Sequence, residues 1–277
     1  TRPIKSLTDV IRKMGQGHFG QRVKVRGGGE FRELGDAFNT MSEKLENLDR
    51  ARNEFVSNAS HELKTPLSAI KVLAESLIHM GEDVPEIYIE FLNDINKEID
   101  RLNAIITDLL SLVKMDDHEE LDQTEPINLS DLVGKTVKGL GVLAEKKNIS
   151  LDTVLEEGIM TAGEASKLQQ AISNLVDNAI KYTPEGGRVM VDVHKGDNQA
   201  IIKISDTGIG IPSKDIPHIF DRFFRVDKAR SRYTGGTGLG LSITHRIILM
   251  HDGNIRVDSK EGRGTTFFVH LPLREEE

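Results

Sequence analysis

The sequence predicts a multidomain fold: an all-α front half, made of a parallel coiled-coil linker and a helical hairpin that forms a four-helix-bundle dimer, followed by an α/β sandwich of the α+β kind. Three observations predict it. Apolar residues at heptad spacing run from Ile4 to Val113. After the acidic stretch Asp116 to Glu125 the pattern changes to short helices mixed with alternating strands. A length of 277 residues suits two or three compact units rather than one core.

Composition narrows the function classes. Hydrophobic residues at 38% and charged residues at 29% suit a folded globular chain. A formal charge of -8 argues against a chain-wide nucleic-acid footprint, which needs clustered basic surface. With no cysteine, disulfides and thiolate metal sites are excluded. No stretch reaches the ~20 apolar residues of a membrane helix, and Thr1-Arg2-Pro3 is no signal peptide, so the expectation is a soluble piece. It starts at the edge of a patterned helix, as a fragment cut from a longer protein would.

Ile4, Leu7, Ile11 and Met14 form the first stripe, and Leu34, Phe38, Met41, Leu45 and Leu48 the second. Between them Gly15 to Gly29 is rich in glycine and carries the alternating Arg22-Val23-Lys24-Val25, which reads as an extended connector. Two parallel helices with one seam each bury it best by dimerising into a four-helix bundle, although an ordinary helical hairpin suits the pattern too. Helix, connector and helix resemble a HAMP linker, with Pro3 near the start, Glu30 at the connector's end and Asn39 in the second helix.

The second stripe changes phase: Leu45, Leu48 and Phe55 keep the heptad, whereas Phe55, Ala59, Leu63 and Leu67 step by four, the mark of a stutter. A helix end is expected near Gly81 to Pro85. A second helix then runs to about Met115 on Leu92, Ile95, Ile99, Leu102, Ile106, Leu109 and Val113. Phe91, Ile105 and Leu112 widen its apolar face beyond a two-stranded seam, again favouring a four-helix bundle of two chains.

Farther on, helices are expected near Ser130 to Lys147 and Glu164 to Tyr182. Strands are expected near Ile149 to Val154, Arg188 to His194, Ala200 to Ser205, Asn254 to Ser259 and Thr265 to Leu271. Residues 117 to 126 read as a hinge. The expected parts are therefore 1–52, 53–118 and 119–277.

Two places carry chemistry. In Phe55 to Leu67, His61 lies two residues from both Ala59 and Leu63, a rotation of roughly 200°, so it faces water if they face the core. Thr65 is one turn on along the same face, and Pro66 should bend the helix. A surface histidine on a proline-kinked helix fits equally well. A zinc-protease reading fails, because Thr65 stands where the second histidine is required.

In Leu168 to Thr183, Asn174 and Asn178 stand four apart opposite the apolar stripe, with Lys181 and Tyr182 just beyond. Such a face can offer amide oxygens to a hydrated Mg²⁺ and a cation to phosphate, or it is simply solvated. Asp206-Thr207-Gly208-Ile209-Gly210 sets a carboxylate at a strand end beside two glycines, as a ligand site or a plain turn would. Gly235-Gly236-Thr237-Gly238-Leu239-Gly240 opens an apolar helix, whose first N–H groups can cradle phosphates; it matches neither the Walker A loop nor the dinucleotide fingerprint. Arg222, Arg225, Lys228, Arg230 and Arg232 form a basic run that suits a mobile lid over a triphosphate or a solvated surface.

Ser60-His61-Glu62-Leu63-Lys64-Thr65-Pro66-Leu67 resembles the H box of sensor histidine kinases of bacterial two-component systems. The later stretches, with Phe220-Asp221-Arg222-Phe223-Phe224 among them, resemble the N, G1, F and G2 boxes of that family in their usual order. The resemblance implies an ATP-binding rear domain and a protein-histidine kinase in which His61 attacks the γ-phosphorus of ATP. Glu62 would orient the imidazole and take its other ring proton, and Thr65 would position water for dephosphorylating a partner. Asn178 would hold Mg²⁺ with Asn174 close by, Lys181 and Arg225 would contact phosphates, Tyr182 would pack on the nucleoside and Asp206 would accept from the adenine amino group. Gly208, Gly210, Gly236, Gly238 and Gly240 would shape the pocket. The implied partners are a second copy and the receiver domain of a response regulator, with the piece lying on the cytoplasmic side of a membrane protein through a segment upstream. The rival readings are an ATP-hydrolysing clamp of the gyrase or chaperone type, which lacks an H box, and a signalling scaffold with a degenerate nucleotide site, against which the intact asparagines, Asp206 and glycines argue.

Overall fold

Apolar residues at every third or fourth position set the first two helices, α1 (Arg2–Gly15) and α2 (Glu30–His79). The computed structural model describes residues 2–24, 29–79, 85–117, 121, 124–226 and 236–274. The chain divides into two units, Thr1–Thr65 and Pro66–Glu277.

In the first unit Met14, Val23 and Phe38 are buried, with Leu7, Val10, Phe19 and Leu45 packed on them. Among the described residues the connector has no strand partner, and backbone groups of Gln21 and Val23 bond to α2 instead. The Val23 N–H donates to Asn39 Oδ1 at 2.8 Å, and Asn39 Nδ2 donates to the Val23 carbonyl at 3.1 Å. The Ser42 hydroxyl donates to the Gln21 carbonyl at 2.8 Å. The expected stripes therefore split. Met14, Phe38 and Leu45 turn inward and Val10 joins them, whereas Ile11, Leu34, Met41 and Leu48 are between 49% and 66% exposed.

In the second unit α3 (Pro85–Asp117) carries two apolar faces. Ile105, Leu112 and Met115 are buried, while Leu92, Ile99, Ile106 and Val113, seven residues apart, are 39% to 55% exposed. Of the turn expected between the hairpin helices, residues 80–84 lie outside the described residues.

The remaining elements are β1 (Glu125–Asn128), α4 (Leu129–Lys146), β2 (Ser150–Leu155), β3 (Met160–Gly163), α5 (Ala165–Tyr182), β4 (Arg188–Gly196), β5 (Gln199–Asp206), α6 (Gly240–Met250), β6 (Asn254–Lys260) and β7 (Gly264–Pro272). Five strands form one sheet in the order β2-β4-β5-β7-β6, parallel between β2 and β4 and antiparallel elsewhere. Alternate residues point to one face, so Val189, Val191 and Val193, then Ala200, Ile202 and Ile204, are buried with Val133, Leu168, Ile172, Leu175, Ile243 and Ile247 of the helices. On the other face Lys203 and Arg256 flank the Phe268 ring, their cations 6.0 and 5.0 Å from its centre.

One pair of strands was not legible in the sequence: β1 and β3 form a separate two-stranded sheet, Glu125 opposite Gly163 and Pro126 opposite Ala162. Of the hinge expected over 117 to 126, Asp117 belongs to α3 and Glu125 and Pro126 to β1, while residues 118–120, 122 and 123 lie outside the described residues.

His251, at the end of α6, fixes the start of α5. Its Nδ1 faces the Ile247 carbonyl at 2.7 Å, which can only accept, so the ring proton is there and Nε2 accepts from the Glu164 N–H at 3.0 Å. The ring lies where a Cβ on Gly163 would come within 2.1 Å. Burial holds the pKa of His251 below the ordinary histidine value. The unfolded chain therefore takes up a proton near pH 6.5 that the folded domain refuses, so stability is full above that pH and falls as the pH drops below it. His251→Ala should cost about 1–3 kcal/mol in urea unfolding, because it orphans a buried N–H. His251→Gln, which can both donate and accept, should flatten the acid slope; an unchanged slope would exclude His251 as its source.

Candidate phosphoacceptor and nucleotide site

His61 lies exposed on α2, as the stepping of Ala59 and Leu63 predicts, and those two are half-buried. The Thr65 hydroxyl, one turn on, donates to the His61 carbonyl at 3.1 Å. The helix passes through Pro66 unbroken, although Pro66 has no N–H to give the Glu62 carbonyl.

In the second unit α5 presents its polar face. Asn174 Nδ2 donates to the Gly240 carbonyl at 3.2 Å, tying the middle of α5 to the first residue of α6. Asn178 is half-buried one turn farther on. At the end of the helix all four terminal carbonyls find donors, which a helix C-terminus cannot supply by itself. The Thr183 N–H and hydroxyl serve Ala179, and Lys147 Nζ serves Ile180 at 2.9 Å and Lys181 at 2.6 Å. The Ile209 N–H serves Tyr182 at 3.2 Å.

That last bond docks the loop after β5 onto α5. Gly208 has no room for a side chain: a Cβ would lie 2.6 Å from both the Tyr182 carbonyl and Asp206 Oδ1. Gly210 has φ +68° and would meet the Lys260 carbonyl at 2.1 Å. Asp206 Oδ1 accepts from the Gly208 N–H at 2.8 Å and the Thr265 N–H at 3.2 Å, which orients the carboxylate. Burial raises its pKa and these two donors oppose the rise.

Lys181 is the centre of positive charge. Among the described residues its ammonium has no hydrogen bond or ion pair; it lies 5.8 Å from the Tyr182 ring centre and 3.0 Å from where a Cβ on Gly236 would stand. Burial lowers its pKa, Asp177 opposes that, and Arg225, Arg101 and Lys147 lower it further. Tyr182 is 39% exposed, and burial raises its phenol, against the pull of Arg225. A half-buried lysine with no ion pair among the described residues, between two glycine-bearing loops, fits a bound anion.

Gly238 has φ +73° and packs on the Phe223 backbone, whose N–H donates to the Gly238 carbonyl at 2.9 Å. Gly240, by contrast, faces Asn174 at ordinary contact distance, so its place at the helix start matters more than its lack of a side chain. Gly235, Lys228, Arg230 and Arg232 lie outside the described residues. The structure thus brings Asn174, Asn178, Lys181, Tyr182, Asp206, Arg225 and the glycines into one unit, with His61, Glu62 and Thr65 in the other. Among the described residues no three His, Cys, Asp or Glu side chains group as metal ligands.

Residues 1–47 match the model of the HAMP domain, 51–118 that of the His Kinase A (phospho-acceptor) domain, and 163–275 that of the histidine kinase-, DNA gyrase B- and HSP90-like ATPase. The chain belongs to the sensor histidine kinases. Similar to it are the sensor-like histidine kinase SenX3 of Mycolicibacterium smegmatis, 40% identical over 81% of this chain and 58% of that protein, and the sensor histidine kinase WalK of Bacillus subtilis, 37% identical over 84% of this chain and 38% of that protein. The chain thus spans less than two thirds of the length of these relatives. The fold is shared with the Acinetobacter baumannii histidine kinase AdeS, at a TM-score of 0.64 and 21% identity over 78% of this chain and 98% of that one. It is also shared with histidine kinase ThkA solved with the response regulator protein TrrA, at 0.63 and 23% over 83% and 66%. Among the described residues no helix is long and apolar enough to cross a membrane.

Sequence reading of this kinase family member missed Lys147. It stands at the end of a solvated helix pattern, and nothing local marks it. Removing it leaves two helix-terminal carbonyls without their donor. Lys147→Met should therefore destabilise the rear unit by about 2 kcal/mol and weaken binding of a non-hydrolysable ATP analogue, with Lys147→Arg recovering most of both; calorimetric titration with thermal unfolding would check it.

Proposed function

We propose that this chain is the signalling core of a sensor histidine kinase: it phosphorylates His61 from ATP and passes the phosphoryl group to an aspartate in the receiver domain of a response regulator. The observation that carries the reading is the half-buried Lys181 beside Gly236, whose ammonium has no ion pair among the described residues, with an oriented Asp206 carboxylate in the same unit. One end suits a phosphate tail. The other suits a base with an exocyclic amine.

In the family's order, residues 1–52 are the linker, 53–118 the hairpin and 119–277 the catalytic part. Asp206 accepts from the adenine amino group, Tyr182 packs on the nucleoside, and Lys181 and Arg225 meet the phosphates. Asn178, through its amide oxygen, with Asn174 near it, would hold a divalent cation, which would supply charge neutralisation of the phosphates. That donor set suits Mg²⁺, which keeps waters and phosphate oxygens as its main ligands. The transfer is an in-line displacement. A ring nitrogen of neutral His61 forms the N–P bond, the bond from the γ-phosphorus to the bridging oxygen breaks, ADP leaves, and the other ring proton passes to Glu62. Thr65 serves the reverse task on the regulator.

The working unit is a homodimer. The stripe Leu92, Ile99, Ile106 and Val113 is uncovered in one chain, and so are Leu34, Met41 and Leu48. Heptad stripes of this kind are buried by a second copy. Attachment to a membrane, in this reading, comes through a segment upstream.

Incubation with γ-labelled ATP and Mg²⁺ tests the chemistry. Acid-labile, alkali-stable label on the wild type that vanishes in His61→Gln is expected, with Thr65→Ala keeping the label but losing regulator dephosphorylation. ATP turnover without protein label would replace the kinase by a clamp-type ATPase. For assembly, Ile99→Lys with Ile106→Lys should turn a dimer into a monomer by light scattering. A variant that stays dimeric would rule out this face.

A further inference from the structure

Within the second unit the glycine loop of the candidate site is tied to α3 as well as to its own domain. Gly238 takes φ +73°, and its carbonyl accepts from the Phe223 N–H at 2.9 Å, which sets the two residues side by side. Phe223 itself takes φ +63°, a left-handed value that a bulky residue keeps only where its surroundings impose it. The residue next to each of these two reaches out to α3. Arg222 Nη2 donates to both Asp116 oxygens at 2.8 Å, and the Thr237 hydroxyl donates to Asp108 Oδ2 at 2.9 Å. A third bond, from Arg246 Nη2 of α6 to the Met115 carbonyl at 3.1 Å, satisfies one of the last four carbonyls of α3.

These contacts are not equal. Arg222 and Asp116 are both exposed, where water weakens an ion pair. Asp108 is half-buried, on the face of α3 that also buries Ile105, Leu112 and Met115 at steps of three, four and three. Burial raises its pKa and the Thr237 hydroxyl opposes the rise. The Thr237 oxygen that donates to Asp108 also accepts from the N–H of the buried Leu239, the residue before α6, at 3.2 Å. With its one proton committed to the carboxylate, that oxygen turns its lone pairs to the N–H, so Asp108 fixes how the loop enters the helix. Gly236, next to Thr237, faces Lys181 Nζ, which is 3.0 Å from where a Cβ would stand. One short loop thus meets α3 through Thr237 and the candidate phosphate-binding lysine through Gly236.

We propose that Asp108, on the second hairpin helix, is a positioning residue of the nucleotide site: through Thr237 it holds the loop from Gly236 to Gly240 in the shape that receives the phosphate tail. This rests on reading the pocket as an ATP site. Asp108 touches no nucleotide itself; it removes the cost of ordering the loop when the phosphates arrive. Linkage is reciprocal, so a bound phosphate tail in turn strengthens the hold of the loop on α3. Asp108 lies two residues from Ile106, roughly 200° around the helix, so a second copy on the uncovered stripe leaves this contact intact.

The test is calorimetric titration of the full chain with Mg²⁺ and a non-hydrolysable ATP analogue, and separately with adenosine, which has no phosphates to meet the loop. Asp108→Ala should weaken the analogue about tenfold, the usual cost of one charge-assisted bond, and leave adenosine unchanged. Asp108→Asn, whose amide oxygen still accepts from Thr237, should recover most of the affinity, and Thr237→Ser should bind like the wild type. Thr237→Val should lose about as much as Asp108→Ala, and the double variant no more than either, because the two residues act as one unit. Unchanged analogue binding in Asp108→Ala would overturn the proposal, and so would tighter binding, which would make the contact a lock that phosphates must break. Equal losses for analogue and adenosine would overturn it too, by making Asp108 a structural residue, as would losses that add in full in the double variant. A wild type that binds neither ligand would sink the ATP reading on which the proposal stands, whatever the variants do.

Discussion

Helix α5 ends with each of its last four carbonyls paired, and the nucleotide site depends on that closure. A helix cannot satisfy its own C-terminus, so the donors come from three places: the chain just beyond it, Lys147 at the end of α4, and the Ile209 N–H in the loop after β5. The last of these brings the two halves of the pocket together, because it fixes the loop carrying Asp206 and Gly208 against the turn carrying Lys181 and Tyr182. At the opposite end His251 supplies the donor-acceptor match that starts the same helix. One helix, secured at both ends, sets the geometry of the candidate site.

Charge arrangement follows from this. Lys181 sits where burial already penalises its charge, among other cations, and Asp177 opposes only part of that. An anion beside that ammonium would oppose the same effects. Asp206 is the complementary case, a carboxylate whose burial is offset by two backbone donors on one oxygen. The candidate site thus has a cationic end at Lys181 and an anionic end at Asp206.

The front unit solves a different problem. Its connector is too irregular to pair in a sheet, so Asn39 and Ser42 of α2 take up backbone groups of Val23 and Gln21. Only part of the apolar stripe is used in this packing. The remainder, like the stripe on α3, stays uncovered in a single chain, which is the physical reason the helices suit a second copy.

The sequence by itself determined the helices, most strands and the family, because these depend on local spacing: heptads, alternation, glycines beside Asp206, and the run from Ser60 to Leu67. It also indicated that His61 would be exposed, since rotation along a helix is fixed by residue count. Only the tertiary structure decided the β1–β3 pairing, the inward turn of Val10 in place of Ile11, and the service of Lys147 and His251 to residues far away in the chain. Those contacts join segments separated by dozens of residues, and a solitary lysine or histidine at a helix end carries no local signal of what it will meet once the chain has folded.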